Sequence, residues 1–327
     1  MKICVFGAGA IGGHAATRLA LGGADVSVVA RGAQRDAIAE QGLKVSAHDG
    51  KHHVRPRVGS PAELGVQDAV IVTVKAPALP QVAEALGPLL GPDTTVAFVM
   101  NGIPWWYFDR HGGALDGRRL PEIDPGEAVR RAVGVERTLG GVVYSACTVT
   151  EPGHIHVESA TNRIILGEPD GSDSPRAEAI AAFLNKGGMK GEVTSKIRTE
   201  VWSKLVMNLA FGPFAILSRL GAGPSTHDPV VRAAMVRATE EAIAVAGALG
   251  HPVEVDAAKR IAAVGSSAHK ASILQDLELG RPMEVASMLR VPLELARLAG
   301  VDTPTLDLAV ALATQQARAA GLYTPAG

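Results

Sequence analysis

A lysine and an asparagine stand four positions apart in the most apolar stretch of the chain. In a helix, the i, i+4 spacing of Lys204 and Asn208 places both side chains on one face. Partial burial lowers the pKa of a lysine, so that its ammonium can pass a proton to a developing alkoxide, as a general acid does in carbonyl reduction. The alternative is a lysine whose stem packs while its ammonium reaches water, and the spacing fits both.

A glycine-rich turn follows the first apolar run. It matches GxGxxG between a predicted strand and a predicted helix, and it consists of Gly7, Ala8, Gly9, Ala10, Ile11 and Gly12. The first glycine permits a tight turn, the second lets backbone N–H groups approach a pyrophosphate, and the third allows close helix packing. The motif therefore predicts dinucleotide binding, and a glycine turn without a ligand is the alternative.

The residue type after the second strand bears on the choice of dinucleotide. Arg31 stands nineteen positions past Gly12, where enzymes that use NAD usually carry Asp or Glu, and positions 29–33 hold no acidic residue. A guanidinium pairs with a 2′-phosphate, which a carboxylate repels, so the sequence favours NADP(H), with Arg35 as an assisting cation. A solvated loop arginine is the alternative.

Ser272 and Glu284 flank the segment 274–280 in the last quarter of the chain. We expect Pro282 at the first position of a new helix and Glu284 in its first turn, where the helix dipole favours a carboxylate. Such a carboxylate accepts hydrogen bonds from a ribose, a hydroxyl or an ammonium. The alternative is ordinary charge compensation at a helix N-terminus, which is the more common use of such a residue.

The elements that must position these residues change in type along the chain. Short β-rich runs at 2–6, 25–30, 69–74 and 95–100 alternate with helical segments, as in a buried parallel sheet. From 134 to 167 the pattern becomes strands joined by turns, for which we expect an antiparallel edge on that sheet.

Strand patterns end at Ser195, and only helical patterns follow. The fold class is therefore α/β, with an N-terminal Rossmann-type dinucleotide-binding domain at 1–195 and an all-α C-terminal domain at 196–327 that serves substrate and catalysis.

The overall composition favours a small-molecule partner. The 32 basic and 33 acidic residues nearly cancel and no basic block exceeds a dipeptide, which argues against nucleic acid or an anionic membrane as partner. Two distant cysteines support neither a disulfide framework nor a thiolate metal site. The start of the chain resembles no secretory signal, and polar residues make 201–217 a poor membrane span, so we expect a cytoplasmic protein.

Several motifs together resemble the ketopantoate reductase family, in this order and spacing: GAGAIGG at 7–13, Arg31, VKA at 74–76, NG at 101–102, EPGHIHVES at 151–159, WSKLVMN at 202–208 and SILQDLELGRPMEV at 272–285. The resemblance covers nearly the whole chain. It implies NADPH-dependent reduction of 2-dehydropantoate to pantoate, a step of pantothenate synthesis.

The resemblance also implies roles for individual residues. Lys204 would be the catalytic general acid, and Glu284 would take part in catalysis and help to hold cofactor and substrate. Lys75 and Asn101 would lie at strand ends beside the cofactor, with Asn101 also near the substrate. Asn208 and Ser272 would bind the substrate, Ser272 at its carboxylate.

Two positions depart from the family pattern. Gly212 and Ala222 stand where the family typically carries asparagines. A site that has lost two amides discriminates differently among hydroxylated substrates, so a related reductase acting on another 2-oxo acid is an alternative. An opine-type dehydrogenase, which joins an amino acid to a 2-oxo acid, and a non-catalytic NADP(H) sensor are further alternatives.

Three aromatic residues and two histidines allow more than one interpretation. The run Trp105-Trp106-Tyr107 is expected either as an aromatic wall over the pocket or as a surface insertion or dimer contact. His154 and His156 alternate on one strand without a third ligand, so we expect them to be structural and expect no metal site. A homodimer is compatible with the helical second domain.

Overall fold

The computed structural model describes residues 1–265 and 270–325. The chain forms two compact units, of which the first comprises Met1–Met100, Pro104–Arg119 and Gly126–Ile197. The second comprises Asn101–Ile103, Leu120–Pro125 and the residues from Arg198 onward. The segments Asn101–Ile103 and Leu120–Pro125 thus belong to the helical unit, although both precede the predicted domain boundary at 195. The assignment of cofactor binding to 1–195 and of the substrate to 196–327 stays a prediction.

The first unit contains a large, mostly parallel sheet of eight strands. Its order is β12-β11-β8-β7-β6-β1-β2-β5. All neighbouring pairs are parallel except β8 and β11, which are antiparallel. The strands are β1 (Lys2–Phe6), β2 (Asp25–Val29), β5 (Arg57–Val58), β6 (Ala69–Val72), β7 (Thr95–Val99), β8 (Thr138–Tyr144), β11 (Arg163–Gly167) and β12 (Lys190–Val193). The predicted α/β class with a parallel sheet is confirmed.

A second sheet of four strands corrects the expectation for the middle of the chain. Its order is β4-β3-β10-β9, with β3 (Leu43–Ala47), β4 (Gly50–Val54), β9 (Cys147–Glu151) and β10 (His154–Val157). The predicted hairpin of β9 and β10 exists, but β10 pairs in parallel with β3 and does not extend the large sheet. Only β8 and β11 supply the antiparallel pair expected there. Pairing across about a hundred residues leaves no local pattern in the sequence.

Six helices connect the strands of the first unit: α1 (Ala10–Leu21), α2 (Gly32–Gln41), α3 (Pro61–Leu64), α4 (Leu79–Leu86), α5 (Ala128–Val133) and α6 (Pro175–Lys186). Strands β6 and β7 are buried along their whole length, as their continuous apolar sequences predict. Helix α1 packs closely on the second sheet, because a Cβ at Gly13 would come within 2.2 Å of the Ile155 side chain. This packing fixes α1 and the turn before it.

The aromatic run lies in the core of the first unit. Trp105, Trp106 and Tyr107 are almost fully buried. Trp105 contacts Phe98 edge to face, with ring centroids 5.6 Å apart, and the Arg130 guanidinium lies over its ring. The interpretation as a surface insertion or dimer contact is wrong, and these contacts are those of core packing rather than of a pocket wall.

The second unit is helical in its described part, as predicted. Its helices are α7 (Ile197–Ser218, which begins one residue before the unit), α8 (Ala222–Ser225), α9 (Pro229–Ala248), α10 (Ala257–Ala263), α11 (Ser272–Glu278), α12 (Val291–Leu298) and α13 (Pro304–Ala319). A π-helical turn, Ala286–Arg290, precedes α12. Among the described residues, α7 is the one helix long and apolar enough to span a membrane, but 61% of that window is buried inside the protein. It therefore has the character of a core helix.

Candidate active site

The glycine-rich turn has the backbone geometry that its sequence predicts. Gly7 has a φ of +104°, which favours glycine. A Cβ at Gly12 would lie 2.0 Å from the Gly7 carbonyl oxygen and 2.4 Å from Oγ1 of Thr73, so position 12 admits no side chain. At Gly9 a Cβ would meet no atom within 4 Å. The turn is therefore closely packed at its first and third glycines and open at its second, where a ligand would approach.

Hydrogen bonds hold this turn in one conformation. Thr73, just after β6, donates its hydroxyl to the Gly7 carbonyl at 2.7 Å, and the Gly9 amide donates to the same oxygen at 2.9 Å. Helix α1 starts at Ala10 without an acidic residue in its first turn. Since the first N–H groups of a helix lack intrahelical acceptors, they form with the dipole an electropositive end that suits a phosphate.

Arg31 lines a cavity at the ends of β1 and β2. The cavity has a volume of about 410 Å³, and its lining includes Phe6, Ala30, Arg31, Arg35 and Ser60. Arg31 is exposed at the N-cap of α2, whereas the guanidinium of Arg35 bonds to the neighbouring Asp36 at 2.7 Å. Arg31 is thus better placed than Arg35 to meet an added anion in this cavity.

Lys75 and Asn101 each follow a strand of the large sheet, as predicted. Lys75 is exposed and stands three residues after β6, and Asn101 stands two residues after the neighbouring strand β7. In open α/β sheets, ligands bind beyond these carboxyl ends. By its contacts, however, Asn101 belongs to the second unit, since the segment Asn101–Ile103 packs there.

Glu284 makes the polar contact that ties Asn101 into the second unit. The Asn101 amide Nδ2 donates to Oε2 of Glu284 at 3.4 Å, and the Glu284 residue is 4% exposed. The expected helix start at Pro282 is wrong, because residues 281–284 are not helical. The Glu284 carbonyl accepts from the Met288 amide at 3.0 Å, so Glu284 lies directly before the helical residues and not inside their first turn.

Lys204 and Asn208 lie one turn apart on α7, and both are half-buried. The amide nitrogen of Asn208 is inaccessible to solvent and has no hydrogen-bond partner among the described residues. A buried amide donor without an acceptor costs free energy, so its retention calls for an explanation, such as a bound ligand. The interpretation of Asn208 as a ligand contact fits this observation.

Gly212, one further turn along α7, faces apolar side chains. A Cβ at Gly212 would lie 3.5 Å from Cγ2 of Ile273 and 3.8 Å from Cδ2 of Leu289. Ser272, which precedes Ile273, begins α11. Ala222, at the other departing position, begins the short helix α8. Position 212, where the family typically carries an asparagine, therefore has no amide and is surrounded by apolar side chains.

Two further polar residues of interest, Ser287 and Gln34, could not be found from the sequence. Ser287 is 1% exposed in the π-helical turn, and its hydroxyl has no partner among the described residues, while its carbonyl accepts from the Ile103 amide at 2.8 Å. Gln34 contacts the glycine-rich turn. A serine inside an apolar helix and a glutamine on an exposed one carry no signal in sequence.

No group of three metal-ligating side chains occurs within residues 1–265 and 270–325.

Taken together, the sheet, the glycine-rich turn and the residues on α7 define an oxidoreductase with a Rossmann-type first unit and a helical second unit. Two family models match the chain: ketopantoate reductase PanE/ApbA over residues 3–171, and the ketopantoate reductase PanE/ApbA C terminal over residues 196–317. The chain belongs to the ketopantoate reductase family.

Individual relatives are similar to this chain over nearly its whole length. A 2-dehydropantoate 2-reductase of Mesorhizobium japonicum is 42% identical over 331 residues, which cover 99% of this chain and 100% of the relative. A crystal structure from Ralstonia solanacearum MolK2, assigned as a ketopantoate reductase, has a TM-score of 0.90 and 38% identity, with 98% and 99% of the two chains covered. The 2-dehydropantoate 2-reductase of Methylococcus capsulatus has a TM-score of 0.78 and 30% identity, with 98% of each chain covered.

Proposed function

We propose that the protein reduces a 2-oxo acid to a 2-hydroxy acid with NADPH, and that 2-dehydropantoate is the substrate to test first. The observation that carries the proposal is the pair on α7, in which the half-buried Lys204 lies one turn before Asn208, whose buried amide nitrogen has no partner among the described residues. The names of the relatives supply the substrate.

The residues of the first unit fit a nicotinamide dinucleotide. Open space at Gly9 and the N-terminus of α1 suit the pyrophosphate, and the 410 Å³ cavity beside Arg31 suits the adenosine end. An exposed guanidinium in that cavity favours the extra phosphate of NADPH. Lys75 follows the next strand and is proposed as a further contact. When bound, the cofactor supplies the hydride that reduces the carbonyl carbon.

The second unit supplies the proton and the polar contacts in this proposal. The Lys204 ammonium donates a proton to the carbonyl oxygen as charge develops there. Asn208 donates its amide hydrogen to the substrate, and Ser272 binds the carboxylate. Glu284 holds the amide of Asn101 and fixes its orientation.

A second candidate, a different 2-oxo acid, is favoured by the surroundings of Gly212. Position 212 lies against Ile273 and Leu289 and offers no hydrogen-bonding side chain. A site built to bind a substrate hydroxyl loses discrimination when that donor is absent. An apolar 2-oxo acid would then compete with 2-dehydropantoate as substrate.

A screen of NADPH oxidation over a panel of 2-oxo acids tests the proposal. The panel contains 2-dehydropantoate, branched and aromatic 2-oxo acids, and each acid again with added amino acids. We expect oxidation without any amine. A strict amine requirement would identify an opine-type dehydrogenase, and tight NADPH binding without turnover on any acid would indicate a sensor. The ranking of kcat/KM decides between the two substrate candidates.

Three further expectations remain proposals: a cytoplasmic location, a homodimer, and a partner set limited to the small-molecule substrate and its cofactor. Size-exclusion chromatography with light scattering measures the mass of the particle in solution and so tests the homodimer directly.

A further inference from the structure

Gln34 connects the glycine-rich turn to the hairpin of the second sheet. It lies on α2, three residues after Arg31, and its Nε2 donates to the Ala8 carbonyl at 2.7 Å. Its Oε1 accepts from the Gly153 amide at 3.0 Å. One side-chain amide therefore makes two backbone hydrogen bonds to segments that are far apart in sequence.

The Ala8 carbonyl belongs to the peptide group that precedes the open glycine of the turn. The N–H of the same peptide group, that of Gly9, donates to the Gly7 carbonyl at 2.9 Å. Because a peptide group is planar, bonds on its carbonyl and its N–H together fix its orientation. This orientation determines how the chain enters α1, whose first N–H groups face a phosphate in the proposed function.

The Oε1 atom of Gln34 bonds the turn between β9 and β10, which is itself hydrogen-bonded to β3. Gly153 lies in the turn between β9 and β10, and its carbonyl accepts from the Lys44 amide of β3 at 2.9 Å. The side chain is thereby restrained on its acceptor side while it holds Ala8 on its donor side. A loop that is already held in its binding conformation loses less conformational entropy when a ligand binds.

We propose that Gln34 is a positioning residue for pyrophosphate binding by the glycine-rich turn, an inference that rests on the proposed function. It acts through the Ala8–Gly9 peptide group and not by contact with the cofactor. Since NADPH and NADH share the pyrophosphate, loss of Gln34 weakens both cofactors by the same factor. Loss of Arg31, which faces the 2′-phosphate in the proposed function, weakens NADPH selectively.

Two substitutions separate the two hydrogen bonds. Gln34→Met keeps the approximate length of the side chain and removes both bonds, whereas Gln34→Glu keeps the acceptor for Gly153 and sets a carboxylate against the Ala8 carbonyl. Gln41→Met, on the same helix, is the matched control, because the side chain of the exposed Gln41 bonds only the Lys44 ammonium in the described contacts. The measurements are Kd for NADPH and NADH, kcat at saturating cofactor, and Tm.

We expect Gln34→Met to raise both Kd values about tenfold, the order of effect when a hydrogen bond that orders a binding loop is lost. Gln34→Glu raises them at least as much, while kcat stays within about twofold and Gln41→Met resembles the wild type. Unchanged Kd values in both Gln34 variants, or a fall in kcat and Tm together without a change in Kd, would overturn the proposal. A wild-type protein that binds neither cofactor contradicts the proposed function instead.

Discussion

The amide of Asn101 donates a hydrogen bond to the buried carboxylate of Glu284, with 3.4 Å between the nitrogen and the oxygen. Two residues farther on, the Ile103 amide donates to the Ser287 carbonyl at 2.8 Å. A Cβ at Gly102 would come within 2.4 Å of that carbonyl oxygen, so this segment lies directly on the π-helical turn. The structure thereby joins two residues that are 183 positions apart.

Removal of either partner of the Asn101–Glu284 pair is expected to lower kcat/KM. Glu284→Ala removes the acceptor that orients the Asn101 amide, and we expect a loss of at least about tenfold, as for other side chains that orient a binding group. The test is a double-mutant cycle with Asn101→Ala. A coupled pair predicts that the double variant loses less than the two single losses combined, by about 0.5 kcal/mol or more. Strict additivity would mean that the two side chains act independently.

Lys204→Ala is expected to lower kcat by more than about a hundredfold, the usual size of a lost general acid. The Kd of NADPH should change little, because Lys204 acts on the substrate carbonyl in the proposed function. Single-turnover kinetics and a binding titration measure the two effects. Lys196→Ala, an exposed lysine directly before α7, is the matched control and should resemble the wild type. Near-normal turnover in Lys204→Ala removes this residue from the chemistry.

Local patterns predict the parts of the fold that local interactions determine. The run 2–6 predicts β1 to the residue, and the spacing of Lys204 and Asn208 predicts their common face on α7. The pairing of β3 with β10 could not be predicted, because it depends on which distant strands meet. The burial of Trp106 against Gly140 also depends on tertiary packing, which no local pattern shows.

In the candidate site, too, features that depend on local sequence could be predicted, and features that depend on distant segments could not. The backbone of the glycine-rich turn and the position of Arg31 after β2 could be predicted, since such a turn is a local motif with a fixed offset to the next strand. The contact of Glu284 with Asn101 and the support from Gln34 could not, because both depend on hydrogen bonds across segments. The motif thus predicts the backbone of the turn, but not the side chains that hold it in place.

Arg31→Asp is expected to reverse the cofactor preference. A carboxylate at this position of the cavity repels the 2′-phosphate, so Kd for NADPH should rise by at least about tenfold while Kd for NADH changes by about twofold or less. Arg35→Asp is the matched comparison, because Arg35 is already paired with Asp36 and should show the smaller effect. Titration of both cofactors measures the four affinities. Equal weakening of NADPH and NADH by Arg31→Asp would assign phosphate recognition to another residue.

A buried histidine couples the stability of the first unit to pH. His14 of α1 is fully buried, and its Nε2 accepts from Nε of Arg18 at 3.1 Å. Since an arginine only donates, the proton of the neutral ring lies on Nδ1, which is 3.2 Å from the Ser145 hydroxyl. Burial, together with the nearby Arg18 charge, lowers the pKa of His14 to about 4.

This depressed pKa predicts a loss of stability in mild acid. The unfolded chain protonates His14 near its ordinary pKa of about 6.5, whereas the folded protein resists protonation until about 4, so the unfolded state binds more protons between these values. The free energy of unfolding should therefore fall as pH drops from about 6.5 to 4, by at most about 3 kcal/mol. Urea denaturation at several pH values measures this slope for the wild type and for His14→Gln, which cannot titrate at this position. If His14→Gln also keeps the full slope, other groups cause the acid sensitivity.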